Sequence, residues 1–164
     1  MPLCCFHDAI QAVMGWTDSH LHQFEKDGKY WGDSQNREFE DDIEIIDESK
    51  VPVGKVLLTE DDSMVYVYDF GDDWRHHVVL ERIIPAAATP TQPLCLAGER
   101  RCPPEDVGGP FGYEEFLEVI FQPGHDEFEH FRGWAGGQFH AEEFKLKAVN
   151  KLLGRMRWPA NQGR

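Results

Sequence analysis

The sequence predicts an α+β domain: an antiparallel sheet with a central hairpin, at about 64–84, packed by N-terminal and C-terminal helices. Three observations carry this. Leu3, Phe6, Ile10, Val13 and Met14 recur at helical spacing at the start of the chain. Met64 to Asp69 alternates apolar and polar, and Trp74 to Ile84 is a second β-rich run, so the two read as a hairpin. Phe144, Ala148, Leu152 and Met156 return to helical spacing at the end. No regular strand–helix alternation occurs, and no glycine-rich loop joins a strand to a helix, which argues against a doubly wound nucleotide-binding fold.

Taken in order, residues 3–15 form an amphipathic helix closed near Gly15, and Trp16 to Ser19 turn the chain. His20 to Lys26 reads as a strand with His20, His22 and Phe24 on one face. Asp27-Gly28 is a turn signal, so Lys29-Tyr30-Trp31 returns as a hairpin partner. Ser34 to Asp42 is an acidic loop, and Ile43 to Ile46 a short strand. Pro52 argues against a central strand over Val51 to Leu58, which reads as a short helix or irregular segment. After the hairpin come a linker, Pro85 to Pro93, and a loop rich in Gly, Pro and charge, Leu94 to Pro110. Gly112 to Phe121, Glu127 to Trp134 and Ala141 to Met156 read as helices.

A length of 164 residues suits one domain over 1–164, with its core at about 3–158. The 41% hydrophobic content, with 11 Phe and 5 Trp, supplies apolar mass for that core. No apolar run approaches the ~20 residues of a membrane span, and no basic segment precedes an apolar run at the start. A cytoplasmic location is expected, with Cys4, Cys5, Cys95 and Cys102 as reduced thiols or metal ligands. The net charge of −14 is uneven. Sixteen acids face five bases between Glu25 and Asp73, whereas only bases follow Glu143. The acidic body repels phosphate backbones. Nucleic acid is therefore expected only through Lys145, Lys147, Lys151, Arg155 and Arg157, which otherwise form a solvated helix end.

The densest stretch is Tyr68 to His76, where three carboxylates, aromatic rings, an arginine and a histidine share one strand–turn–strand junction. Two readings compete. In the first, the 68–76 turn and the 102–112 loop pack together as the rim of a ligand groove, with His20, Asp69, Asp72, Trp74, His76, Glu105, Asp106 and Tyr113 as its residues. In the second, favoured, reading they form a structural polar joint. Asp69 and Asp72 accept backbone N–H groups in the turn, Gly71 takes the positive φ, and Glu105-Asp106 cap the following helix or pair with Arg100 and Arg101. No catalytic residue and no cofactor are expected. Zinc on Cys95, Cys102 and His76 is the competing possibility, opposed by the lack of a closely spaced thiolate pair.

The strings HLHQF at 20–24, YDFGDDWRH at 68–76 and CPPEDVGGPFGYEEFL at 102–117 occur in that order. With them the chain resembles the plasmid Ri ORF-three-like family over about Leu3 to Trp158, some members of which are passengers of insertion elements. The resemblance implies no established activity, and nothing here resembles a serine recombinase. Family members usually carry a strand before the first helix, so this chain reads as N-terminally truncated, with an unpaired sheet edge open to self-association. Many also have a cysteine where this chain has Val107. The expectation is a binding or interaction domain with a protein or small-molecule partner. The alternatives are a metal-assisted hydrolase using His76 with Asp and Cys partners, and nucleic-acid association through the basic C-terminal helix.

Overall fold

The computed structural model describes residues 1–34, 44–85 and 92–159. Most of the expected acidic loop, the start of the Ile43–Ile46 strand, most of the Pro85–Pro93 linker and Arg164 lie outside them. Among the described residues, four helices pack with a five-stranded sheet of order β3-β2-β1-β4-β5, consistent with the α+β class.

Helix α1 spans Leu3–Met14 and closes on Gly15, whose φ of 87° places it in the left-handed region that glycine occupies without strain. Its first turn has no side-chain cap; instead the Leu3 amide donates to the Val51 carbonyl at 2.9 Å. Strands β1 (His22–Lys26) and β2 (Lys29–Gly32) pair antiparallel across the Asp27-Gly28 turn, both residues of which have positive φ. The short strand is β3, Ile45–Asp47, and it runs parallel to β2. The sheet is therefore mixed at one edge rather than wholly antiparallel. Two single 3₁₀ turns follow, Glu48–Lys50 and Val53–Lys55, in the segment expected to be short-helical or irregular.

Strands β4 (Ser63–Tyr68) and β5 (Trp74–Val79) form the central hairpin, with Tyr66 opposite His76 and Tyr68 opposite Trp74. β5 ends at Val79, shorter than the expected run to Ile84: Leu80 trades backbone hydrogen bonds with Asp61 and Asp62, and pairing stops there. Helix α2 spans Gly109–Ile120, so it begins three residues before the expected Gly112, with Pro110 in its first turn where a missing N–H costs nothing. Helix α3 is Phe128–Trp134 and α4 is Leu146–Leu153. The expected helix from Ala141 is thus trimmed at both ends. Ala141 is instead buried beside Phe139, and its carbonyl accepts the Arg101 amide at 2.7 Å, which holds that stretch out of a helix.

Three hydrophobic clusters result among the described residues. The largest joins α1 to the sheet through Leu3, Trp16, Phe24, Trp31, Met64, Tyr66 and Tyr68. A second holds α2 and α3 together around Phe116 and Phe139. The third seats Leu153 of α4 on Ala9 and Ala12 of α1. No helix among the described residues is long and apolar enough to cross a membrane.

Candidate functional site

Helix α1 turns two polar residues, His7 and Gln11, into the interior alongside Leu3. The three are spaced i, i+4, i+8 and so share one face. Burial there demands hydrogen-bond partners, and β4 supplies one. The Tyr66 hydroxyl lies 2.7 Å from His7 Nδ1 and accepts from Gln11 Nε2 at 3.0 Å. The turn after α1 supplies another, because the Asp18 amide donates to Gln11 Oε1 at 3.0 Å. That places the Asp18 carboxylate 2.9 Å from His7 Nε2. Asp18 holds a φ of 55°, a conformation aspartate tolerates better than most residues.

His22 of β1 completes the arrangement. Its ring stacks on His7 with centroids 3.5 Å apart and planes 7° from parallel. Its Nε2 lies 3.0 and 3.1 Å from the two carboxylate oxygens of Glu48, a buried residue at the start of the 3₁₀ turn. Burial, and secondarily the neighbouring His22, hold the His7 pKa down to about 4 against the pull of Asp18 and Glu48. His7 is therefore a neutral imidazole near pH 7. Burial also raises the Tyr66 hydroxyl, which stays protonated.

His7, Asp18, His22 and Glu48 open onto a cleft of about 750 Å³ between α1, β1 and the β3–3₁₀ segment. Ser19, His20, Asp8, Asp33 and Asp47 also line it. Among its described lining residues none is lysine or arginine.

The residues anticipated from sequence gather mainly beside this cleft, and only His20 among them lines it. His20 Nε2 is 3.1 Å from Asp106, 3.7 Å from Asp69 and 4.0 Å from Glu105. The alignment with these carboxylates is poor, and this buried nitrogen makes no hydrogen bond. Asp69 accepts the Gly71 and Asp72 amides at 3.0 and 3.3 Å. Asp72 instead accepts from Gly108, at 3.1 Å, and so ties the hairpin turn to the 102–112 loop. Gly71 does not take the positive φ; Asp69 (56°) and Asp73 (51°) do, since aspartate stabilises that conformation through its own side chain.

Glu105 neither caps a helix nor pairs with arginine. It accepts from the Thr17 amide at 2.7 Å and from the Tyr68 hydroxyl at 3.1 Å, bracing the turn after α1. Trp74 and Tyr113 meet edge to face. His76 lies under Trp16, also edge to face, with Nδ1 against the Trp74 carbonyl, and is not among the residues that line the cleft. The two thiols paired with it pack in different clusters, Cys102 on the sheet core and Cys95 beside α4. Burial raises the Cys102 pKa to about 12, so it is a thiol and not a thiolate. Lys145, Lys147, Lys151, Arg155 and Arg157 are all exposed on or near α4.

Residues 1–148 match the family described as plasmid pRiA4b ORF-3-like protein. The chain belongs to this family. One relative is the uncharacterised protein y4hQ of Sinorhizobium fredii (strain NBRC 101917 / NGR234), 38% identical over 156 residues that cover 90% of this chain and 75% of the relative. A solved structure is similar throughout: the protein of unknown function MM3350 from Methanosarcina mazei Go1. It is 38% identical with a TM-score of 0.76, and the match covers 90% of this chain and 82% of that one. Family membership thus fixes the fold.

Sequence reasoning missed His7, Gln11, Asp18, Glu48 and Tyr66. One signal was present: two polar residues, His7 and Gln11, lie i, i+4 after Leu3 on a short helix that must bury most of its surface. The others meet only through tertiary pairing.

Proposed function

We propose that the protein is a binding domain for a small cationic ligand, received by the cleft between α1, β1 and the Glu48–Lys50 turn. The lining supports this reading: the carboxylates of Asp8, Asp18, Asp33, Asp47 and Glu48, with three imidazoles and, among the described lining residues, no lysine or arginine. A concave site lined by charge of one sign concentrates ligands of the opposite sign and repels anions. The buried chain from Gln11 through Tyr66 to His7 keeps the wall rigid, which lowers the ordering cost of binding.

The test is thermal denaturation with two probe sets. Putrescine, an amino-acid amide and divalent ions form one; phosphate and citrate form the other. A ligand that binds only the folded state stabilises it, by about 2.7 kcal/mol at a hundredfold excess over Kd. Cationic probes alone are expected to raise Tm, with an effect that shrinks in high salt and in Glu48→Gln. Equal stabilisation by the anions, or an effect untouched by Glu48→Gln, would overturn the reading.

A further inference from the structure

We infer that the cleft holds a divalent first-row transition-metal ion, with His7 Nε2, His22 Nε2 and Asp18 as ligands and Glu48 as a fourth donor. This deepens the cationic-ligand reading and rests on it. One ligand atom each from His7, Asp18 and His22 lies within 4.8 Å of the other two. Ligands of an ion such as zinc sit at about 2.0–2.2 Å from it and so at most roughly 4.4 Å apart. Rotation of one ring separates the observed spacing from a closed set. The His22 ring, at the cleft wall, must turn out of its stack toward Asp18. Glu48 is already 3.0 Å from His22 Nε2.

The second support is electrostatic. Glu48 is buried, and its recorded ion-pair partner is the imidazole of His22; that of Asp18 is His7. No recorded lysine or arginine ion pair reaches either carboxylate among the described residues. The buried Glu48 carboxylate, facing an imidazole and no lysine or arginine, leaves negative charge at a desolvated site, which is costly unless a cation offsets it. The third support is orientation. A ligating histidine is held by a hydrogen bond at its other nitrogen, and His7 Nδ1 has the Tyr66 hydroxyl at 2.7 Å. Gln11 binds that hydroxyl and the Asp18 amide together, so one side chain positions two ligands.

The donor set selects the class of ion. Two imidazoles with carboxylates suit zinc, iron, cobalt or nickel, whereas calcium and magnesium prefer oxygen alone. The neighbouring His20–Asp69–Asp106 group also falls within ligand range. It offers one nitrogen, however, and its Asp69 carboxylate already serves the hairpin turn. The open side toward the cleft leaves room for a water or a further ligand on the ion.

The experiment uses the full chain, stripped with chelator and titrated with Zn²⁺ by calorimetry and with Co²⁺ by absorption. One ion per chain is expected, with a cobalt spectrum of nitrogen–oxygen ligation. His22→Ala and Asp18→Asn should each weaken binding at least tenfold, and Tyr66→Phe about tenfold. His130→Ala, exposed on α3 and away from the cleft, should bind as the parent does. Asp18 is largely exposed, so its variant keeps the fold even if a His7 variant does not. Loss in His20→Ala but not in His22→Ala would overturn the assignment, as would a thiolate-to-cobalt charge-transfer band. If putrescine stabilises the protein while neither ion binds, the metal assignment falls and the cationic cleft stands. If neither amines nor metal ions act, both fall.

Discussion

His7 enters the folded state as a neutral ring, and that choice has a pH signature. Its ordinary pKa of 6.5 is lowered to about 4 by burial first and by His22 second. As pH falls through 6.5 the unfolded chain takes up a proton that the folded chain refuses until about 4. The His7 contribution is therefore complete above 6.5 and is lost on the way down to 4. A shift of that size corresponds to about 3 kcal/mol. Burial lowers His76 as well, in the same sense. Asp47 and Asp62, held down by Lys50 and Lys26, act only below the ordinary carboxylate value of 3.8, outside this window. Urea unfolding with chelator present should show stability dropping between pH 7 and 4.5, with a shallower drop in His7→Asn. A flat profile would mean that His7 is protonated in the fold.

At the scale of elements, the β4–β5 turn and the start of α2 are locked face to face. Gly109 has a φ of +68°, and a Cβ on it would lie 2.4 Å from the Asp72 carbonyl oxygen. That oxygen belongs to the backbone, so it does not yield cheaply. Gly109→Ala should cost about 2–4 kcal/mol, from strain and lost packing together. Gly124, in open space, is the control and should tolerate alanine nearly neutrally. Equal unfolding midpoints for the two variants would show that this approach is not rigid. The same elements show what a sequence reveals. The β4–β5 hairpin was legible because one face is buried and a period of two marks it; α1 was legible because it ends on a glycine that must be left-handed. The first residues of the expected last helix were not, since Ala141 is held by Arg101, forty residues away. Half of the polar joint could be read from the Tyr68–His76 string. The cleft could not, because His7, Asp18, His22 and Glu48 come from four segments that only the sheet register and a parallel edge strand bring together.

For the whole molecule, a net charge of −14 sets a self-repulsion that salt relieves. Sixteen of its acids fall between Glu25 and Asp73, the region that carries β2 to β4 and, with Asp33, Asp47 and Glu48, one side of the cleft. Screening over about 10 Å at 0.1 M salt weakens repulsion between such charges more than it weakens the shorter ion pairs. Tm should therefore rise as sodium chloride is raised from low to moderate concentration. A falling Tm would assign the greater weight to ion pairs such as Glu25–Arg75.

The register of β1 joins these scales. His22 and Phe24 point toward α1 and the core, while Gln23 and Glu25 hydrogen-bond to one another on the opposite face. Side chains alternate strictly along a strand. A single residue inserted or deleted between Leu21 and Phe24 would exchange the two faces at once, carrying the imidazole out of the cleft and a charged residue into the core. The two-residue Asp27-Gly28 turn carries the same constraint, because its length sets the register of β2 on β1 and, through the parallel pair, of β3 and the Glu48 turn beyond it. A change of length in β1 or its turn therefore acts on the imidazole wall even where it lies outside the cleft.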